Sequence, residues 1–344
     1  MKFGAVPLPE AMGSVLAHSV RLPDGTLRKG IVLGPSEIER LRAGRVASVL
    51  VAVLDSGDIN EDVAAQRVAE ALAGNGIETG PASTGRVNLY ARNGGLLVLD
   101  ASRVHAGNAV HEGLTIATLL PDTVVHTSQM LATIKIIPYA VPAAALEAVL
   151  GCLRSSVAAM GVHSWRGIAM GLVMTRTPHM RESVLAKMRQ SVLKRLEPLK
   201  GALAVEQVVA HEEQSVAAAL RQQLQAPEAP DVLLVSGAAA TVDRADVVPA
   251  AIIAAGGRVL HAGMPVDPGN LLVLGEIPRG GARVPVVGIP TCARSPKLNG
   301  FDFVLRRLAA GVGVSGANIM AMGVGGLLTE IESRPMPRDQ RAHE

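Results

Sequence analysis

Three segments in the second half of this 344-residue chain combine hydroxylated, small and charged residues in a way that suits anion binding. They read MTRTPHM (174–180), SGAAATVDRAD (236–246) and GIPTCARSPKLNGFD (288–302). Hydroxyl groups, an arginine fork and free backbone N–H groups at a helix start all bind phosphate oxygens. The sequence therefore predicts a site for a small anion, built from these loops.

The groups that would hold the anion are hydroxyls, exposed backbone and cations. They are Thr175, Arg176, Thr177, Ser236, Gly237, Arg294, Ser295 and Lys297. Pro178 suits an early helix position. Asp243 and Asp246 stand one turn apart at the predicted start of the helix after the second loop.

Simpler explanations exist for each feature. A small-residue loop after a parallel strand is usually only a tight turn, and two aspartates at a helix start favour its dipole. Arg294 and Lys297 also suit a solvated loop. Cys292 has no identifiable base, which favours a bystander thiol over a nucleophile. The nine histidines show no metal-ligand spacing, so no metal site is predicted.

The elements that would position these loops are readable from Leu172 onward, where short apolar runs alternate with segments of helical period. This pattern is typical of a mostly parallel sheet covered by helices, which binds ligands at the carboxyl ends of its strands. The predicted strands are GIAMGLVMT, ALAVEQVVA, DVLLVSG, RVLHAG, LLVLGEI and VPVVGIP, the last two forming a hairpin. The predicted helices span 181–200, 212–225, 243–255 and 300–311.

The first half has a different character, with helices predicted at 35–43 and 61–73 and a strand at 46–54. GGLLVLD, EGLTIATLL, DTVVHTS and the run 130–141 are predicted strands between turn-rich segments. The sequence predicts a helix over 141–161, either a linker or the first helix of the next domain. We expect a β-rich domain over 1–165 and an α/β domain over 166–344.

Composition narrows the classes of function. Although 49% of residues are hydrophobic, no apolar run is long enough for a membrane span, and the amino terminus lacks a secretory signal. Two distant cysteines argue against a disulfide framework. The net charge of +3 is scattered, and one Trp, two Tyr and three Phe provide no stacking platform for nucleic acid. We expect a cytoplasmic protein with a small-molecule ligand, and neither a membrane nor a nucleic acid as partner.

The order of loops and strands from Gly167 to Gly311 resembles the molybdopterin-binding domain of molybdenum-cofactor biosynthesis proteins, particularly the molybdopterin molybdenumtransferases. That family carries GGVSVGD, PGKPLLFG and GLPGNPVSA, where this chain reads SGAAATVDRAD, GMPVDPGNLLVLG and GIPTCARSP. AMGSVLAHSV and LRKGIVLGPSEIERLRAGRVASVLV also resemble the stretch that precedes the binding domain in that family. The resemblance thus extends over the larger part of the chain.

The resemblance implies a three-layer α/β/α molybdopterin-binding domain with a mostly parallel sheet, preceded by a smaller mixed, β-rich domain. The implied ligand is molybdopterin, a pterin phosphate, with or without an attached nucleotide, and the implied assembly is a homo-oligomer. The residues that match the family's motifs, and so would contact pterin and phosphate, are Ser236, Gly237, Asp243, Pro268, Gly269, Gly288 and Pro290. The same loops add Thr175, Thr177, Ala238, Asp246, Asn270, Arg294 and Ser295 to the predicted cofactor-binding set. Among them, Asp243 would be catalytic and would position Mg²⁺ or the metal oxyanion.

The chain departs from the family pattern at three points. Thr177 replaces an acidic residue implicated in metal insertion, Asn270 replaces a lysine, and TCARS replaces GNP. One hypothesis is a transferase-like enzyme of cofactor assembly, and a second is a non-catalytic protein that binds, delivers or senses the cofactor. A third makes the first domain a carbohydrate-binding or hydrolase-like module, based on its β character and TGRVNLYARNGG.

Overall fold

The computed structural model describes residues 1–328 of the chain. The described residues form two compact units, Met1–Ser164 and a second that begins at Trp165. Among the described residues, no helix is both long and apolar enough to cross a membrane.

The first unit is built from short strands and helices. Its strands are β1 (Lys2–Pro7), β2 (Val15–Leu16), β3 (Val20–Leu22), β4 (Gly25–Leu27), β5 (Ser48–Val53), β6 (Asp58–Asn60), β7 (Ile77–Thr79), β8 (Arg86–Ala91), β9 (Gly95–Leu99), β10 (Leu114–Thr118), β11 (Val124–Val125), β12 (Met130–Ile136), β13 (Ala140–Pro142) and β14 (Met160–His163). Its helices are α1 (Pro35–Ala43), α2 (Glu61–Leu72), α3 (Ala101–Asn108) and α4 (Ala143–Leu153), with a 3-10 turn at Leu8–Glu10. The larger sheets have the orders β1-β5-β2, β10-β12-β8-β7 and β11-β9-β14.

Two predictions for the first unit are wrong. The strand predicted over 130–141 is two strands, β12 and β13, which pair with β8 and β6 respectively. The helix predicted over 141–161 ends at Leu153 and is not a linker. Its buried face, which includes Leu146 and Leu150, packs into the same hydrophobic core as α2. Burial of that face anchors the helix in the first unit.

The second unit contains the elements that carry the candidate loops. Its strands are β15 (Ala169–Arg176), β16 (Ala202–Ala210), β17 (Val232–Ser236), β18 (Arg258–Ala262), β19 (Val273–Arg279) and β20 (Ala282–Ile289). Its helices are α5 (Glu182–Leu196), α6 (Glu213–Leu224), α7 (Val247–Ala254), α8 (Gly300–Ala309) and α9 (Gly316–Met320), with 3-10 turns at Glu197–Leu199, Thr291–Arg294 and Ala321–Gly323.

The six strands form one sheet in the order β16-β15-β17-β20-β19-β18. The neighbouring pairs from β16 to β20 are parallel, and β19 and β18 continue the sheet antiparallel. The predicted α/β class with a mostly parallel sheet is therefore confirmed, as is the hairpin, whose strands β19 and β20 meet at Gly280 and Gly281.

Alternating side chains of the central strands enter two different cores. Leu172 and Met174 of β15 share a core with residues of α5 and α8, whereas Val173 shares one with residues of α6 and α7. A strand that is buried on both faces reads as a continuous apolar run, as GLVM does here. This burial fixes the strand ends, and therefore the loops that follow them.

The prediction of a helix from residue 243 is also wrong, since α7 begins at Val247. Residues 243–246 form a loop, and the Asp246 carboxylate accepts hydrogen bonds from the N–H groups of Val242 and Asp243, at 2.6 and 2.9 Å. Pro178 likewise lies in the loop before α5, and not in the first turn of that helix. Both corrections place candidate site residues in loops.

Candidate functional site

The candidate segments meet along one edge of the second unit's sheet. Strand register places Met174 beside Ser236, and Ser236 beside Ile289. Because β19 runs antiparallel to β20, its first residue, Val273, lies beside Gly288 at the same edge. The loops that begin at Thr177, Gly237 and Pro290, and the segment that leads into β19, therefore lie along the carboxyl ends of the parallel strands.

Thr175 is the buried centre of this edge, with only 1% of its surface exposed. Its Oγ1 accepts a hydrogen bond from the N–H of Ala238 at 2.7 Å and lies 2.9 Å from Nδ1 of His211. It also lies 3.4 Å from the carbonyl oxygen of Ser236. The hydroxyl that the sequence suggested as a ligand donor thus joins β15 to the loops after β16 and β17.

His211 is a site residue that the sequence analysis missed. It lies directly after β16, and with Arg176, Thr177 and the end of that strand it lines a cleft of about 580 Å³. A Cβ placed on Gly237 would lie 3.7 Å from Cε1 of His211, so the imidazole also borders the small-residue loop. The rule that ligands bind after parallel strands, applied to every strand, would have found it.

The loop after β17 presents free backbone donors. The N–H groups of Ala239, Ala240 and Thr241 donate to no atom of residues 1–328, and Ala239 and Ala240 are exposed. Backbone N–H groups without a protein partner are available to donate to an anion. Small side chains leave them accessible to a ligand.

Both carboxylates of this loop bind its own backbone. Asp246 accepts two N–H groups, first that of Val242 and then that of Asp243, and these bonds lower its pKa. Oδ1 of Asp243 accepts the N–H of Ala245 at 2.7 Å. The aspartates therefore close the loop, and within residues 1–328 no three His, Cys, Asp or Glu side chains gather as a metal-binding group.

The segment 268–270 packs against the start of α8. The carbonyl oxygen of Pro268 accepts the N–H of Gly300 at 2.8 Å. Gly269 has a φ of +144°, and a Cβ there would lie 2.7 Å from the nitrogen of Gly300, so only glycine fits. The backbone oxygen of Asn270 accepts the N–H of Met264.

Arg294 is the notable cation of the loop after β20. Its Nε is buried and has no hydrogen-bond partner among the described residues. Cys292 is exposed and receives a hydrogen bond from Nδ2 of Asn299, 3.2 Å from its Sγ. The side chains of Ser295 and Lys297 are exposed, and their carbonyl oxygens accept hydrogen bonds from Arg195 at 2.9 and 3.0 Å.

No family model matches the chain, and no curated protein matches it. Among solved structures, the chain is similar to a protein of Corynebacterium diphtheriae whose description assigns that protein to molybdenum cofactor biosynthesis. The match covers 44% of this chain and 98% of that one, with 15% identity and a TM-score of 0.29. A TM-score this low carries no argument about function.

Proposed function

We propose that the second unit binds a pterin phosphate of the molybdopterin type and acts in the assembly or handling of the molybdenum cofactor. The observation that carries this proposal is the buried Nε of Arg294, which has no partner within residues 1–328. A buried donor without a hydrogen bond costs about 1–3 kcal/mol. Arg294 as a whole is only half-buried, and a phosphate bound at its guanidinium would supply the missing partner, a contact for which arginine is well suited.

Three further features support a phosphorylated small molecule as the ligand. The free N–H groups of residues 239–241 offer a second set of anion donors near the same edge. The cleft beside His211, about 580 Å³ in volume, is lined by residues at and after the ends of β15 and β16 and not by Arg294; its volume falls within the roughly 300–1,000 Å³ of small-molecule sites. The resemblance in SGAAATVDRAD, GMPVDPGNLLVLG and GIPTCARSP implies that the ligand is a pterin and that the domain has three α/β/α layers.

Binding without turnover is the function that these contacts favour. The Asp246 carboxylate is committed to two backbone N–H groups, and Thr177 stands where the family has an acid implicated in metal insertion. The donors of Arg294 and residues 239–241 can bind an anion without the Asp246 carboxylate and without an acidic residue at position 177. The proposed role is therefore to hold or deliver the cofactor, from a homo-oligomer as the resemblance implies.

The test is titration of the full-length protein with molybdopterin and its adenylated and cytidylated forms, followed by pterin fluorescence. We expect Arg294→Ala to weaken binding roughly tenfold or more, because a charge-assisted hydrogen bond to phosphate is lost. Lys187→Ala is the control, since it removes an exposed cation of the same unit outside the candidate loops and should change affinity little. No binding of any form would overturn the proposal.

A second candidate, an enzyme of metal insertion, rests on Asp243. Its Oδ2 bonds to nothing among the described residues, while Oδ1 accepts the N–H of Ala245. An exposed carboxylate oxygen beside a phosphate site suits Mg²⁺ or a metal oxyanion's ligand set. Incorporation of molybdate into bound molybdopterin, dependent on Mg²⁺ and lost in Asp243→Asn, would support this candidate. Stoichiometric pterin binding with no incorporation would leave the binding function.

A further inference from the structure

Arg195, near the end of α5, is a buried cation with 8% of its surface exposed. Its Nε donates to Oδ1 of Asp302 at 2.8 Å. Nη1 donates to the carbonyl oxygen of Ala293 at 3.1 Å and contacts both oxygens of Ser191. Nη2 donates to the carbonyl oxygens of Ser295 and Lys297 at 2.9 and 3.0 Å.

These bonds use the whole guanidinium, which has five N–H donors in a fixed plane. Three of the acceptors are backbone carbonyls at alternate positions of the loop after β20. Carbonyls that converge on one side chain hold the backbone in a single path. The path of residues 293–297 is thus set from α5, and Arg294 lies within it.

Asp302 extends this arrangement to a second candidate segment. Its Oδ2 accepts the N–H of Asn299 at 2.8 Å, which closes the capping box at the start of α8. The next residue, Gly300, donates its N–H to the carbonyl oxygen of Pro268. One bonded chain therefore runs from Arg195 through Asp302 to the segment that contains Gly269 and Asn270.

We infer that Arg195 is the positioning residue of the anion site, which it organises without touching the ligand. This inference rests on the proposed function. By fixing residues 293–297 and, through Asp302, the start of α8, Arg195 holds Arg294 in its binding position before the ligand arrives. A loop ordered in advance does not lose conformational entropy on binding, so affinity rises.

Lysine cannot replace this arginine. Lysine keeps the positive charge and can still pair with Asp302, but it has three donors on a single atom and cannot span the three carbonyls and the carboxylate. Arg195→Lys therefore keeps the positive charge and removes the hydrogen bonds that span the loop. Arg189→Lys is the matched control: Arg189 lies on the same helix and binds a carboxylate, that of Glu206, with two bonds of 2.6 and 2.8 Å, but it makes no bond to the loop.

The experiment measures molybdopterin affinity by pterin fluorescence, and hydrogen exchange of residues 291–298, in the full-length protein. We expect Arg195→Lys to weaken binding roughly tenfold or more and to speed exchange of the loop, while Arg189→Lys leaves both near wild type. Ser191→Ala, which removes only the Oγ contacts to Ala293 and Arg195, should give a smaller change in the same direction. If Arg195→Lys fails to fold, Ser191→Ala takes its place in the test.

The double variant with Arg294→Ala tests how Arg195 acts. If Arg195 works by placing Arg294, the lysine substitution should weaken binding far less when Arg294 is already absent. A purely structural role predicts the same loss in both backgrounds and would overturn the inference, as would an unchanged affinity in Arg195→Lys.

Failure of the proposed function has a separate signature. If the wild-type protein binds no pterin, the proposed function is wrong. Hydrogen exchange of the loop then decides whether Arg195 orders residues 291–298. Faster exchange in Arg195→Lys supports the ordering, and unchanged exchange overturns it.

Discussion

The hydroxyl oxygen of Thr175 lies 2.7 Å from the backbone nitrogen of Ala238, and this hydrogen bond joins β15 to the loop that follows β17. The same oxygen lies 2.9 Å from Nδ1 of His211, after β16. One buried hydroxyl therefore connects the ends of three neighbouring strands. The free N–H groups of residues 239–241 come immediately after the residue that it holds.

Replacing Thr175 with valine should destabilise the second unit by about 1–3 kcal/mol, because the partners of a buried hydroxyl lose their hydrogen bonds while the volume is kept. The measurement is urea unfolding, with hydrogen exchange of peptides from residues 165–328 to localise the loss. Thr175→Ser retains the hydroxyl and should recover most of the stability. Thr177→Val, at an exposed position, should be nearly neutral, and an equal cost at both sites would contradict the role given to Thr175.

Acid should loosen the loop of residues 236–246. The pKa of Asp246 is lowered from its usual 3.8, mainly by the N–H groups of Val242 and Asp243. A depressed pKa contributes stability above the unfolded value, and that contribution is lost as pH falls through the folded value. Amide protection of Val242 and Asp243, corrected for intrinsic exchange, should fall below pH 3.8. Asp246→Asn should lack this dependence, and identical pH profiles would refute the explanation.

Much of the scaffold could be predicted from sequence because burial leaves a local pattern. The bounds of α1 and β16 agree with the predicted segments, and β17 lies within its apolar run. The helix α3 was missed because its eight residues have little apolar periodicity, and its main signal is the Asp100 cap. Short elements offer too few periods to recognise.

The candidate site could be predicted only in outline. Its loops follow from the rule about strand ends, but the bond between Arg195 and Asp302 joins residues that are 107 positions apart. No local pattern encodes such a contact. The predicted helix start is correct for Asp246, the N-cap residue of α7, but Asp243 lies in the preceding loop, where its carboxylate accepts the N–H of Ala245. The competing tendency of aspartate to bond nearby backbone N–H groups explains the error.

Glu61, in the first unit, should make stability fall with rising pH. Burial is the main cause that raises its pKa above the usual 4.5, against an opposing effect of Lys135, whose Nζ lies 3.7 Å from Oε2. A raised carboxylate pKa contributes stability at low pH that is lost as pH rises through the folded value. Glu61→Gln should therefore gain stability relative to wild type as pH rises above 4.5. Urea unfolding of both proteins at several pH values measures this difference, with hydrogen exchange of peptides from residues 1–164 to localise it. A difference in stability that does not change with pH would rule out the mechanism.

Gly269 should be intolerant of a side chain for two separable reasons. Its φ of +144° disfavours other residues, and a Cβ would lie 2.7 Å from the nitrogen of Gly300, a backbone atom that cannot move aside cheaply. Gly280 is the matched control, since its φ is +52° and a Cβ there meets nothing within 4 Å. We expect Gly280→Ala to cost about 1 kcal/mol from backbone strain alone, and Gly269→Ala about 2 kcal/mol or more.

The excess cost at Gly269 should be accompanied by weaker binding. Moving Gly269 away from Gly300 would disturb the bond between Pro268 and the start of α8, the segment that Asp302 connects to Arg195. Molybdopterin affinity should therefore fall in Gly269→Ala and stay near wild type in Gly280→Ala. If Gly269→Ala and Gly280→Ala lose the same stability and neither changes affinity, the segment 268–270 is not structurally coupled to the loop that contains Arg294.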